Sequence, residues 1–299
     1  MSTSLPDRAR RSNRAWRLAA TLRTRHGLQL ALVNASVAFA AASGLVQLIL
    51  TVTSVEVLQG WEALVVLFGA SALWGVVKSI PKESVSREFR NPPFKVTVKT
   101  GDLFAEQTQL VIGFTDTFDT AVGNREPIFE QSVQAQFAAR LYAGDISLLD
   151  DELNVALQDK SIESIESPVV KPKGKLGRYP IGTTVVIGGE RSCYCVAYSK
   201  MGNDLVARSS IDFLWSGLHQ LWGEISIKGH RMPVAMPVVG SGLAKLDNVD
   251  YQGLVKFVIT SFVSHSRDAV VAGELIIVVH PQDSEKVDMN EVQAFLNSL

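Results

Sequence analysis

From Leu28 to Val55 the chain contains no ionisable residue, and Arg8, Arg10, Arg11, Arg14, Arg17, Arg23 and Arg25 precede that stretch. Twelve Leu, Ile, Val and Phe residues lie between Leu28 and Val52. At roughly −0.3 to −0.6 kcal/mol each they supply about −4 to −7 kcal/mol toward bilayer insertion, part of it offset by Gln29, Asn34 and Gln47. About 20 apolar residues in a helix cross a hydrocarbon core, so the spacing predicts a membrane span over 28–52. A second run, Trp61 to Ile80, has Glu62 and Lys78 near its ends, where Lys78 can snorkel to the headgroups. It predicts a second span over 61–80, with a buried core helix or a re-entrant segment as the alternative.

The loop joining these runs has no Lys or Arg, whereas Lys78, Lys82, Arg87 and Arg90 follow the second. The positive-inside rule then keeps both flanks on the cytoplasmic side. The expected organisation is a basic leader over 1–27, two spans within 28–80, a Pro-bracketed linker over 81–93 and an α/β domain over 94–299. Arginine-rich and nearly free of acids, the leader also fits a transit peptide; a lipid-facing orientation signal is the simpler account.

Beyond residue 90 the balance reverses, with 18 Lys and Arg against 25 Asp and Glu. An acidic domain without a basic stripe is a poor nucleic-acid binder. Cys193 and Cys195 flank Tyr194 and share one face of a strand, with neither a redox nor a zinc spacing; they read as reduced core residues. Lys171 to Arg178 reads as a solvated basic turn. Short apolar runs at Phe94–Val98, Leu110–Phe114, Thr184–Ile187, Cys193–Tyr198, Val234–Met236 and Leu275–Val279 predict strands. Stripes at Phe129, Val133, Phe137 and Leu141, at Ile211, Leu214, Leu218 and Trp222, and at Leu254, Val258 and Phe262 predict helices. Alternating strands and helices imply an α/β domain with a mixed or parallel sheet, and ligands bind such sheets at the strands' carboxyl ends.

Two loops fall at such ends. Val238-Val239-Gly240-Ser241-Gly242-Leu243-Ala244 follows a strand and precedes a helix, and paired glycines let backbone N–H groups approach an anion. It lacks the third glycine of a dinucleotide fingerprint, the Gly-Lys-Ser/Thr of a P-loop and the first glycine of a nucleophile elbow; a plain tight turn is the alternative. Lys99-Thr100-Gly101-Asp102-Leu103-Phe104 closes the first strand of the domain. Asp102 either caps a turn or accepts hydrogen bonds from a ligand amine.

Gly-Asp-Leu-Phe after a first strand, the Leu110–Phe114 strand, and a late Pro-x-x-Gly-x-Gly loop before the penultimate helix together resemble a macro domain, a three-layer α/β fold with a mixed sheet. By this resemblance Asp102 and Leu103 stand at the adenine of ADP-ribose, and Val239, Gly240, Ser241, Gly242, Leu243 and Ala244 at its diphosphate. Thr115 and Asp116, with Asp119 nearby, take the place of the Asn and Gly segment that faces the distal ribose in hydrolytic members. That departure puts hydrolysis in doubt and leaves binding intact; exposed loop carboxylates are the alternative for Asp116 and Asp119. Two spans before such a domain look like the membrane-anchored effectors of Thoeris anti-phage systems. The resemblance implies an ADP-ribose-derived signal made by a TIR-domain partner, with no cofactor beyond that signal. It also implies disruption of the bilayer and a place in the bacterial inner membrane with both termini cytoplasmic; since a two-helix hairpin is too small to enclose an aqueous path, self-association on activation is expected as well.

Other constellations are weaker. The histidines show no metal-ligand spacing, no catalytic residue is marked, and Asp150-Asp151-Glu152 reads as a solvated acidic cluster. An ADP-ribosyl hydrolase and a passive ADP-ribose-binding anchor are the alternative functions. Ala40-x-x-x-Gly44 and Ser71-x-x-x-Gly75 are small-residue pairs suited to close helix packing.

Overall fold

The computed structural model describes residues 25–53, 61–78, 82–189, 191–240 and 249–299, in two compact units, Met1–Lys82 and Glu83–Leu299. The leader up to residue 24, the loop over 54–60, residues 79 and 80 at the end of the expected second span, residue 81 of the expected linker, and Ser241 to Ala244 lie outside the described residues.

The first unit contains α1 (Arg25–Thr53) and α2 (Trp61–Lys78), which pack on each other. Phe39 and Phe68 meet edge to face at 5.7 Å. The hydroxyls of Ser36, Ser43 and Ser71 donate to the carbonyls four residues back, so these polar groups are satisfied within their own helices. Ser71 and Gly75 are buried, whereas Ala40 and Gly44 are exposed; only the second small-residue pair is sequestered. Among the described residues no helix is long and apolar enough to cross a membrane. This overturns the expected multi-pass location, and with it the transmembrane hairpin and the orientation drawn from it. The 18 residues of α2 reach about 27 Å, short of a hydrocarbon core of about 30 Å, and α1 dilutes its apolar residues with Asn34, Ser36, Ser43, Gly44 and Gln47.

The second unit is built on one mixed sheet. Its strands are β1 (Ser84–Arg90), β2 (Pro93–Thr100), β3 (Gln109–Thr115), β6 (Thr184–Ile187), β7 (Cys193–Met201), β8 (Ala207–Arg208), β9 (Val234–Pro237) and β10 (Glu274–Val279); β4 (Ser164–Ile165) and β5 (Gly177–Arg178) form a separate pair. The order is β1-β2-β10-β9-β3-β7-β6, with β8 also on β7. From β2 to β7 every neighbouring pair is parallel, and β1, β6 and β8 are antiparallel additions. The expected linker is thus largely strand: β1 pairs along its whole length with β2, from Ser84 opposite Lys99 to Arg90 opposite Pro93.

Helices cover both faces, giving three layers. On one side α3 (Val133–Leu141) and α4 (Ile146–Leu157) close a core with Leu110, Ile112, Phe114, Cys193 and Cys195. On the other, α5 (Ile211–Lys228), α6 (Tyr251–Asp268) and α7 (Met289–Ser298) pack on Val96, Val98, Val111, Met236, Leu275 and Ile277. Alternate residues of one strand feed the two cores, as a two-residue side-chain period requires. Each large apolar side chain buried this way contributes about 1.5–3 kcal/mol. Ser132, Asp145, Ser210, Asp250 and Asp288 cap the five helices with side-chain oxygens, satisfying N–H groups that have no partner inside the helix.

Candidate functional site

Because β2, β10, β9, β3 and β7 run parallel, their carboxyl ends share one edge: Thr100, Val279, Pro237, Thr115 and Met201. At the β2 end the Gly101 N–H donates to Val279 O at 3.0 Å, turning the chain into a 3-10 turn over Leu103–Ala105. Asp102 caps that turn, accepting from the Phe104 N–H at 3.1 Å, and forms an ion pair with Arg140 of α3. The Arg140 guanidinium also lies over the Phe104 ring, 5.2 Å from its centre. The carboxylate stays exposed. Partial burial works against its charge, but Arg140 and the Phe104 N–H outweigh that and hold its pKa below the ordinary value. Leu103 points inward and is buried; its contribution to the edge is backbone.

At the β9 end Val238 and Val239 are buried and Gly240 turns the chain at φ +79°, a left-handed conformation that disfavours a side chain. The remaining expected members of this loop, Ser241, Gly242, Leu243 and Ala244, are outside the described residues.

The β3 end is a network of buried charge. Thr115 is buried, its hydroxyl 3.1 Å from that of Thr117. Asp116 is fully buried: one oxygen accepts from the Met201 N–H at 2.8 Å, and the other pairs with Arg178 at 2.7 Å. Arg178 is held in turn by Glu166 and Asn203. Burial opposes its charge, but Glu166 and Asp116 prevail and raise its pKa. Asp119, also buried, accepts from Thr117, the Lys175 N–H and the Lys171 ammonium. Gly174, at φ +78°, makes room, since a Cβ there would sit 2.3 Å from Asp119 Oδ1.

Two expectations are corrected here. The carboxylates of Asp116 and Asp119 are not exposed, and both are engaged by protein donors, so these side chains hold the loop. The 171–178 turn is solvated only in part: Pro172, Lys173 and Gly174 are exposed, but Lys171 is one of the largest fully buried side chains. Its aliphatic stem and three satisfied N–H donors make burial tolerable.

Elsewhere, Asp151 is exposed but Glu152 accepts from the Tyr142 hydroxyl and the Gly188 N–H. Burial pushes the Cys193 thiol to about 11 and Cys195 well above the ordinary thiol value, so neither forms a ready nucleophile. His219 and His265 share a 2.8 Å contact between ring nitrogens. Among the described residues no group of three or more His, Cys, Asp or Glu could hold a metal ion. A cavity of about 360 Å³ beyond the β3 and β7 ends is lined by Arg125, Glu126, Phe129, Leu205 and Val206 among others.

The edge therefore gathers Asp102, the Leu103 backbone, Val239, Gly240 and Thr115. No local motif points to Arg140 or Arg178: each reaches its carboxylate partner across more than 35 residues of chain.

A family model described as Thoeris protein ThsA, Macro domain, matches residues 96–280. The curated Thoeris protein ThsA of Bacillus amyloliquefaciens (strain Y2) is 24% identical over 211 residues, covering 67% of each chain. Among solved structures, the Oceanobacillus iheyensis macrodomain with MES bound aligns at 10% identity and a TM-score of 0.48, covering 72% of this chain and 100% of that one. The same macrodomain with ADP gives 11% identity and a TM-score of 0.47, covering 73% and 100%.

Proposed function

Since this chain belongs to the macro-domain family of the Thoeris protein ThsA, we propose that its α/β unit is a receptor for an ADP-ribose-derived signal and acts as an anti-phage effector. The observation that carries this reading is the common edge of Asp102, Gly240 and Thr115 at the ends of β2, β9 and β3. Strands lie about 4.8 Å apart, so the three steps from β2 to β3 span about 14 Å, the scale of a dinucleotide-like ligand laid across the sheet. Asp102 then accepts from the adenine amine, and the Gly240 turn lies near the diphosphate.

The signal is the product of a TIR-domain partner, and occupancy of the site drives self-association of the chain. Binding without turnover is favoured over hydrolysis because Thr115 to Asp119 form a closed hydrogen-bonded network in which the acids are spent on structure. Engaged in this way, neither carboxylate is free to act as a general base on a water at the ribose.

The deciding experiment is calorimetry of the full-length chain with ADP-ribose, paired with sedimentation in the presence and absence of ligand. Saturable binding and a ligand-dependent rise in mass are expected, with no release of ADP-ribose from ADP-ribosylated protein. Absence of binding to both ADP-ribose and ADP would sink the receptor reading, and turnover would replace it with the hydrolase. The product of a TIR-domain enzyme is expected to displace ADP-ribose in competition.

A further inference from the structure

Asp102 presents its carboxylate in one orientation, because a different donor holds each oxygen. Oδ1 accepts from the Phe104 N–H at 3.1 Å, and Oδ2 pairs with Arg140. Arg140 is itself held twice. It stands in the last turn of α3, where the helix C-terminus favours a cation, and its guanidinium lies over the Phe104 ring, 5.2 Å from the centre. Phe104 packs in turn against the core that α3 and α4 close. Carboxylate, ring and guanidinium thus form one cluster that joins the end of β2 to α3, across 38 residues of chain.

The cluster stays open to solvent. The Arg140 and Asp102 side chains are 47% and 44% exposed, and so wet an ion pair adds little to stability. Its effect is orientation. Partial burial opposes the charge on Asp102, but Arg140 and the Phe104 N–H outweigh it, so the group is ionised at neutral pH and only accepts hydrogen bonds. A carboxylate has about four lone-pair positions; these two donors occupy two and leave the others for an incoming donor. A purine amine supplies one, whereas a keto oxygen in the same place meets the carboxylate acceptor to acceptor.

We propose that Arg140 is a positioning residue for base recognition: by fixing the Asp102 carboxylate it makes the nucleotide edge select a purine with an exocyclic amine over one with a keto group. This rests on the reading of the edge as an ADP-ribose site and adds to it the residue that sets the preference of base. Arg140→Met keeps a flexible apolar stem beside Phe104 and removes every donor. Arg140→Lys keeps the charge and loses the planar fork.

The test is calorimetry of the full-length chain with ADP-ribose and with its hypoxanthine counterpart, inosine diphosphate ribose. Melting temperature verifies that each variant is folded. The wild type is expected to prefer ADP-ribose roughly tenfold, the scale of one hydrogen bond to a charged group. Arg140→Met is expected to lose most of that preference, and Arg140→Lys to retain part of it. In an Asp102→Ala background, where the preference is already gone, Arg140→Met is expected to change neither affinity. An unaltered preference in Arg140→Met overturns the role of Arg140, as does equal weakening of both ligands, which marks a general effect of charge or shape. A further loss in the Asp102→Ala background overturns it too, because Arg140 would then act other than through Asp102. A wild type that binds both ligands equally overturns the amine contact and this inference, leaving the receptor reading in place. A wild type that binds neither overturns the ADP-ribose reading itself.

Discussion

Lys171 Nζ lies 3.2 Å from Asp119 Oδ2, with neither side chain exposed to solvent. The pair ties the 171–178 turn to the segment leaving β3, and Lys171 also donates to the Lys175 carbonyl. Desolvating two charges offsets most of their attraction, so such a pair contributes little net stability, yet losing one partner strands the other. Lys171→Met is therefore expected to lower unfolding free energy by about 3–5 kcal/mol, read by urea denaturation. The double variant Lys171→Met/Asp119→Asn is expected to recover part of that loss; a double variant as unstable as the sum of the singles would contradict the pairing.

Asp102→Ala removes both the proposed acceptor for the adenine amine and the partner of Arg140. With about 1.5–3 kcal/mol for a hydrogen bond to a charged group, ADP-ribose affinity is expected to fall roughly 10- to 150-fold. The folded-state pKa of Asp102 lies below 3.8. A depressed carboxylate contributes above its unfolded value and loses that contribution as pH falls through the folded one. Its part in binding is thus constant from neutral pH to about 5 and fades only below the ordinary carboxylate range. A titration by calorimetry in which affinity drops between pH 7 and 5 in wild type but not in Asp102→Ala would count against this.

Gly113→Ala places a methyl group 2.3 Å from the Tyr198 ring. Overpacking of this kind costs about 1–3 kcal/mol, which thermal melts can resolve. Adding Tyr198→Ala to the same chain relieves the clash, so the second substitution is expected to destabilise less in the Gly113→Ala background than alone. Strict additivity would show that the two residues do not meet.

Neither cysteine is expected to react with a thiol reagent in the native chain. Burial raises both thiols, Cys193 to about 11, and the thiolate is the reactive form. Absorbance with an aromatic disulfide should show no labelling near pH 7 and full labelling in denaturant. Fast native labelling would show that the β6–β7 side of the sheet opens far more readily than its packing implies.

The sheet was readable where apolar runs were uninterrupted. Leu110–Phe114 and Leu275–Val279 sit inside β3 and β10, and the Ile211 and Leu254 stripes became α5 and α6. What escaped was structure made by partners distant in sequence. In β1 only Val85 is buried, so its charges and flanking prolines read as linker, although β2 pairs with every residue of it. Phe129 continues the stripe of α3 on paper but precedes the helix and is exposed, because Ser132 caps the helix first. Lys171 looked solvated because nothing local reveals Asp119. Asp102 and the Gly240 turn were visible as motifs, while the pairing of Asp102 with Arg140 exists only in the fold.

The antiparallel pairing of β1 with β2 has a mechanical consequence. Glu83 O accepts from the Thr100 N–H at 2.9 Å, two residues before Asp102. The chain that continues from the helical unit thus enters the α/β unit beside the candidate binding edge, not at its opposite rim. A shift of the 100–102 backbone therefore bears directly on residue 83 and on the β1–β2 ladder that starts at Ser84 opposite Lys99. The first residue of the α/β unit and the candidate binding edge are thus mechanically adjacent, only a few residues apart along one strand pair.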